Sequence, residues 1–229
     1  MAAFDPPFSI VRRADGVVAP PQKYKLCLID PPWRYGRGHV IGHGKAEGHY
    51  GTADWQTLAA ALDVPSILEK DATVLMWATA PKLDDAMKLG HAWSLQYVTM
   101  FLNWIKTTKK DGNLRMGMGR TTRINAEHLL MFHKGRGAQG IRTKDNSAHN
   151  VAFAPIQGHS RKPAEAFDVI ERVFDVRNAP SIELFARDPT REGWAAWGNE
   201  VKGLEEHLAP FVAFTSAQSV PKKTQKDGK

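Results

Sequence analysis

A chain of 229 residues with 42% apolar and 24% charged side chains has the length and apolar content of one ordinary domain with a proper core. No apolar run reaches the roughly 18–20 residues of a membrane span, and no basic segment followed by an apolar one marks a secretory signal. The one cysteine, Cys27, excludes an intrachain disulfide and a cysteine-based zinc site, so the expectation is a soluble, cytoplasmic protein carrying a net charge of +7.

In chain order, residues 1–22 are rich in Pro, Ala and Gly without a sustained period and read as an N-terminal arm. The apolar string KLCLI (25–29) predicts a buried strand, followed by a Gly- and His-rich loop over 34–52. Residues 54–62 have helical character with Asp54 as N-cap. A second apolar strand is expected over 72–79 and a helix from Lys82 to His91. The strings at 97–105 and 127–134 read as strands flanking a basic loop, in an antiparallel excursion. The clearest helix is 161–174, where Pro163 suits the first turn and Phe167, Ile170 and Phe174 share a face. A last strand is expected over 181–186 and a short helix within Glu192–Leu208. Strands alternating with helices define an α/β sheet that binds ligands at the C-terminal ends of its strands.

The positive charge is concentrated. Residues 106–123 hold six basic side chains and one acid, and the tail from Pro221 holds four basic and one acid, leaving the rest near neutral. A solvated loop and a solubilising tail account for this on charge alone; a concentrated positive segment also suits a polyanion such as nucleic acid. Lys109, Lys110, Arg115, Arg120 and Arg123 are the backbone-gripping candidates in that segment. His39, His43 and His49 lack a metal-site spacing, so no metal is expected.

The string Asp-Pro-Pro-aromatic occurs twice, at Asp5–Phe8 and at Asp30–Trp33. A stiff terminal turn accounts for the first. The second follows directly from a buried strand, which fixes a segment tightly enough for chemistry. Prolines have no N–H and a preset φ, so their carbonyls and the Asp30 carboxylate together offer only hydrogen-bond acceptors. The guest they suit is an amino group that donates two hydrogens, and Trp33 adds a flat face on which a base can stack. Such acceptors localise the lone pair of an adenine amino nitrogen for in-line attack on a sulfonium methyl group, and Asp30 can take up the released proton.

Together with that motif, HYGT (49–52), MWAT (76–79), NWIKT (103–107), AEHLLMFHKG (126–135), HSRKPAEAFDVIER (159–172), IELFAR (182–187) and GWAAWGNE (193–200) resemble, in order, the adenine N6 methyltransferase family. Its best-known member is the catalytic subunit of the eukaryotic mRNA adenosine methyltransferase; the compact length here is similar to bacterial or phage members. The resemblance implies an α/β, Rossmann-like, S-adenosylmethionine-dependent methyltransferase fold with permuted (beta-class) motif order. The domain would span 23–208, with a basic, disordered tail over 209–229. It implies Asp30, Pro31, Pro32 and Trp33 as the catalytic motif. Asp30, Pro31, Lys162, Glu183, Phe185, Arg187, Asn199 and Glu200 would contact S-adenosylmethionine, and Trp33, Tyr50, Glu127 and Lys162 the acceptor nucleotide. Two departures stand out: Asp188–Pro189 follows Arg187 where some relatives carry a histidine, and Glu200 stands where relatives can carry Gln. The expected activity is methyl transfer to adenine N6 in nucleic acid, DNA favoured over RNA. The alternative is a catalytically silent partner of an active paralogue, and the expected assembly is a monomer or a homodimer.

Overall fold

The computed structural model describes residues 11–12, 18–19, 23–35, 52–117, 119, 121–143, 145, 147–157, 161–186 and 191–197. The expected tail over 209–229 lies outside them. Within the expected N-terminal arm, β1 (Val11–Arg12) and β2 (Val18–Ala19) pair antiparallel.

The main sheet begins with β3 (Tyr24–Ile29), whose last four residues are all buried, as befits a strand covered on both faces. Helix α1 (Trp55–Ala61) starts where Asp54 accepts the Thr57 amide at 2.9 Å, the cap expected from the sequence. A single turn, α2 (Val64–Ile67), leads into β4 (Leu68–Thr79), which begins four residues earlier than its apolar run suggests. Helix α3 (Leu83–Ala92) carries Asp84 and Asp85 in its first turn and His91 in its last, all favourably placed against the helix dipole.

Strands β5 (Gln96–Thr107) and β6 (Ala126–Lys134) form the anticipated antiparallel pair around the basic loop. Then come β7 (Val151–Pro155), α4 (Ala164–Val173), β8 (Ser181–Leu184) and β9 (Trp194–Trp197). Residues 194–197, part of the span Glu192–Leu208 in which a short helix is expected, form a strand instead. Trp194 and Ala196 are buried on alternate positions, and the segment pairs parallel with β8 after a turn at Gly193, whose φ is +87°. Residues 198–208 lie outside the described residues.

Among the described residues the sheet has seven strands in the order β7-β5-β6-β4-β3-β8-β9. Only β6 runs against its neighbours; every other pairing is parallel. On one face Cys27, Ile29, Val74, Met76, Leu130 and Phe132 pack under α1 and α3 through Leu58, Ala86 and Leu89. On the other, Leu26, Leu28, Leu75, Trp77 and Leu129 pack under Ala166, Ile170 and Phe174, at α4 and its C-cap. Because β6 is reversed, its N-terminus opens on the same sheet edge as the C-termini of β3, β4, β5 and β8. Charged side chains can meet there without entering the core. No helix among the described residues is long and apolar enough to cross a membrane.

Candidate active site

Asp30 follows β3 directly, and its amide donates to the Leu184 carbonyl at the end of β8 (3.4 Å). The two prolines then turn the chain sharply. The Trp33 amide donates back to the Pro31 carbonyl at 2.8 Å. The Pro32 carbonyl accepts the Ala53 amide at 2.9 Å, and Arg34 returns a bond of 2.9 Å to Ala53. Each proline carbonyl therefore already has one backbone donor, which qualifies the expectation of a site made of open acceptors; a carbonyl keeps a second lone pair. Trp33 departs further from its expected place as an open stacking face. It is 5% exposed, sits within the hydrophobic core, and its indole N–H donates to the Trp77 carbonyl at 3.0 Å. A large ring at the foot of a tight turn gains more from burial than from solvent.

Beside that turn lies a chain of alternating charge. Lys162 Nζ, just ahead of α4, lies 2.7 Å from Asp30 Oδ2 and 3.2 Å from Glu127 Oε2. The other Glu127 oxygen accepts from Lys106, on β5. The Lys162 side chain is only 9% exposed and that of Glu127 14%. Burial would push the Glu127 carboxyl up, but the Lys162 and Lys106 ammonium groups outweigh it and hold the group at about 2. Burial likewise acts to lower Lys162, yet Asp30 and Glu127 raise it above the ordinary lysine range. Glu127 and Lys162 are thus both charged near neutrality.

Indole rings support this chain. Lys162 Nζ lies 5.4 Å from the centre of the Trp77 ring and Lys106 Nζ lies 5.0 Å from that of Trp104. The two rings meet edge to face at 6.5 Å. Trp104 donates its N–H to the Ala154 carbonyl, whereas the buried Trp77 N–H has no hydrogen-bond partner among the described residues. Tyr35, just past the turn, bonds Thr79 through its hydroxyl at 2.8 Å and lies under the Lys82 ammonium. Burial pushes that hydroxyl up to about 12.

Sequence-expected residues thus fall into groups. Asp30, Glu127 and Lys162 are brought into direct contact, although more than 30 residues separate the nearest two along the chain. Pro31, Pro32 and Trp33 form the scaffold behind Asp30. Glu183 and Phe185 lie on and just past β8, the strand hydrogen-bonded to β3, so they flank the same edge. Phe185 has a φ of +62°, a left-handed conformation that costs a bulky side chain roughly 1–3 kcal/mol. It turns the ring onto the core face of Ile182 and Leu184, against simple alternation from Glu183. Lys109, Lys110, Arg115 and Arg123 are exposed on the β5–β6 hairpin. Tyr50, Arg120, Arg187, Asn199 and Glu200, and the histidines 39, 43 and 49, lie outside the described residues.

Lys106 was not among the expected site residues. In the sequence it opens the basic run; the signal that singles it out is strand alternation, two residues after the inward-facing Trp104. Trp77 and Trp104, the indoles beneath the two lysines, were likewise unassigned.

A mainly parallel sheet with one reversed strand, and an acidic turn at the end of β3 beside the end of β8, form a Rossmann-like α/β fold, and the family match makes it that of an S-adenosylmethionine-dependent methyltransferase. The chain belongs to the MT-A70 family, whose model matches residues 24–200. It is 31% identical over 204 residues to the type II methyltransferase M.MunI of Mycoplasma sp, covering 80% of this chain and 79% of that protein. It is 28% identical over 183 residues to an N(6)-adenosine-methyltransferase MT-A70-like protein of Arabidopsis thaliana. It is 27% identical over 201 residues to the N(6)-adenosine-methyltransferase catalytic subunit METTL3 of Homo sapiens. Those alignments cover 79% and 87% of this chain but only 24% and 32% of the respective relatives.

Proposed function

We propose that this protein transfers a methyl group from S-adenosylmethionine to the N6 amino group of adenine in nucleic acid, with DNA favoured over RNA. The observation that carries the reading is the Asp30–Lys162–Glu127 constellation, held at the mouth of the sheet next to β8. The donor set fits the cofactor by its chemistry. A Lys162 ammonium suits a carboxylate, and Asp30 and Glu183 carboxylates suit an amino group and ribose hydroxyls. When bound, the cofactor supplies an electrophilic methyl group on a sulfonium centre.

The chain's own residues do the rest. Asp30 accepts a hydrogen bond from the adenine amino group, which otherwise keeps its lone pair delocalised in the ring. On methylation the amino nitrogen would lose one proton, which Asp30 would receive and pass to solvent. Lys162 keeps Asp30 oriented beforehand through the 2.7 Å contact. Much of the acceleration then comes from alignment, which the buried ion chain preserves at little entropic cost during the step. An adenine in a duplex must leave its stack to reach such a turn, so the substrate is flipped or single-stranded.

DNA is favoured because the type II methyltransferase is matched along most of its length, whereas the relatives named for adenosine are matched over less than a third. Their names make RNA the second reading. A silent-partner role is disfavoured by the intact Asp30–Lys162 pair. Incubation with methyl-labelled S-adenosylmethionine and matched single-stranded DNA, duplex DNA and RNA, followed by nucleoside mass spectrometry, tests the proposal. N6-methyladenine is expected, most of it in DNA, and Asp30→Ala is expected to abolish it while cofactor affinity stays within about tenfold. Nucleic-acid binding without any label transfer would overturn the enzymatic reading.

A further inference from the structure

Lys106 is built into the site in a way that phosphate contact does not require. Its amide donates to the Asn125 carbonyl at 2.8 Å and its carbonyl accepts the Arg115 amide at 2.9 Å, so its backbone is fixed on both sides. Its ammonium rests over the Trp104 ring and pairs with Glu127, and its side chain is only 20% exposed. Lys109, Lys110, Arg115 and Arg123, on the same hairpin, are exposed. The single Glu127 carboxylate is divided between two ammonium groups, one oxygen to Lys106 and one to Lys162. Through Lys162 the chain then reaches Asp30.

We propose that Lys106 is a positioning residue for methyl transfer: by pairing with Glu127 it fixes the carboxylate that keeps Lys162 on Asp30. The inference rests on the methyltransferase reading above. Glu127 is faced by Lys106 from β5, by Lys162 from the segment before α4 and by Tyr35 from the turn after β3; Asp30 stands beyond Lys162, and His128 is its neighbour on β6. Of these, Lys106 and Lys162 are the groups that lower its proton affinity, against a burial that raises it. With Lys106 gone, part of that compensation goes too. Glu127 then binds a proton more readily, and a neutral carboxyl holds Lys162 less firmly in line with Asp30.

The test compares wild type, Lys106→Met, which keeps the apolar stem without the charge, and Lys106→Arg, which keeps the charge. Carbon-13 NMR of side-chain-labelled glutamate follows Glu127 directly, and steady-state kinetics on an adenine-containing oligonucleotide follow kcat and KM across pH. Lys106→Met is expected to raise the Glu127 midpoint by at least about one pH unit, a tenfold change in proton affinity. The acid limb of kcat should move up with it, kcat should fall about tenfold, and KM for the oligonucleotide should stay within about threefold. Lys106→Arg should restore both the midpoint and the profile, and it keeps the test open if the Met variant does not fold. An unchanged Glu127 midpoint, a loss confined to KM, or no recovery with Arg would overturn the proposal. A wild-type chain that moves no methyl group would sink the functional reading and the positioning role with it. The NMR titration would still report whether Lys106 holds Glu127 ionised, so the two failures are told apart.

Discussion

Glu127 serves two ammonium groups with one carboxylate, and that arrangement dictates how the fold responds to acid. Its value in the folded chain is about 2, against an ordinary 4.5. A depressed folded-state value means that the ionised form is the one stabilised by folding. The contribution is therefore complete above about pH 4.5 and is lost progressively as the pH falls toward 2. Glu127→Gln removes the negative charge but leaves Lys106 and Lys162 in place. The cost is expected near the lower end of the about 3–5 kcal/mol for breaking a buried pair. Lys162 keeps Asp30, and the partly exposed Lys106 can turn its ammonium toward water. Urea unfolding at pH 7 and pH 3 checks both points. The gap between wild type and Glu127→Gln should be widest at pH 7 and shrink toward pH 3, whereas a gap independent of pH would mean that Glu127 is not held ionised by its neighbours.

At the scale of elements, α3 lies against β6 at one position that tolerates no side chain. A Cβ on Gly90 would come within 2.4 Å of the Phe132 ring, which is fully buried and packed edge-on against Tyr97 at 5.7 Å. Alanine in the middle of a helix gains about 1 kcal/mol over glycine. Forcing a methyl group into a packed ring costs about 1–3 kcal/mol. The packing cost matches or exceeds the helix gain, so Gly90→Ala is expected to lower stability by up to about 2 kcal/mol, measured by urea midpoint, with the combination of Gly90→Ala and Phe132→Leu recovering part of the loss. The elements easiest to read in the sequence were those whose large residues face inward: β3, β4, β6, α3 and α4. Strand β7 inverts that pattern. Its large Val151 and Phe153 are 40% and 65% exposed while Ala152 and Ala154 fill the core, so its alternation carries no outward sign of a strand. In β5, irregularities in register between Tyr97 and Thr99 and between Met100 and Leu102 break the two-residue period. The site divides in the same way. Asp30, Glu127 and Lys162 were recognisable because each sits in its own family-like string. The partnership of Lys106 with Glu127 depends on the register of β5 against β6, which no local string reports. Trp33 reads as a stacking face beside two prolines, but Trp77, on a different strand, takes its N–H and holds it in the core.

Over the whole molecule, charge is separated by role. The basic side chains inside the site, Lys106 and Lys162, are each paired with carboxylates and are poorly available to a polyanion. Lys109, Lys110, Arg115 and Arg123, on the hairpin between β5 and β6, stand exposed, interleaved with the apolar Leu114 and Met116, which are 60% and 77% exposed. The hairpin rises from the strand ends that carry Lys106 and Glu127, and Glu127 connects through Lys162 to Asp30. If Lys109, Lys110, Arg115 and Arg123 each meet a phosphate, each releases counterions and adds about 0.9 to the slope of log affinity against log salt for duplex DNA, and about 0.7 for a single strand. Replacing all four with Gln should flatten the slope by about 3–4 on duplex and by slightly less on single strands. Exposed surface substitutions of this kind change stability by at most about 0.5 kcal/mol each, so the urea midpoint is a control for folding. Fluorescence anisotropy from 50 to 300 mM salt (about one decade or less) measures the slope on both substrates. A slope left intact by the four substitutions would place the path of the nucleic acid away from this hairpin. A slope flattened on only one of the two substrates would identify the strand form that the hairpin grips while an adenine is presented to Asp30.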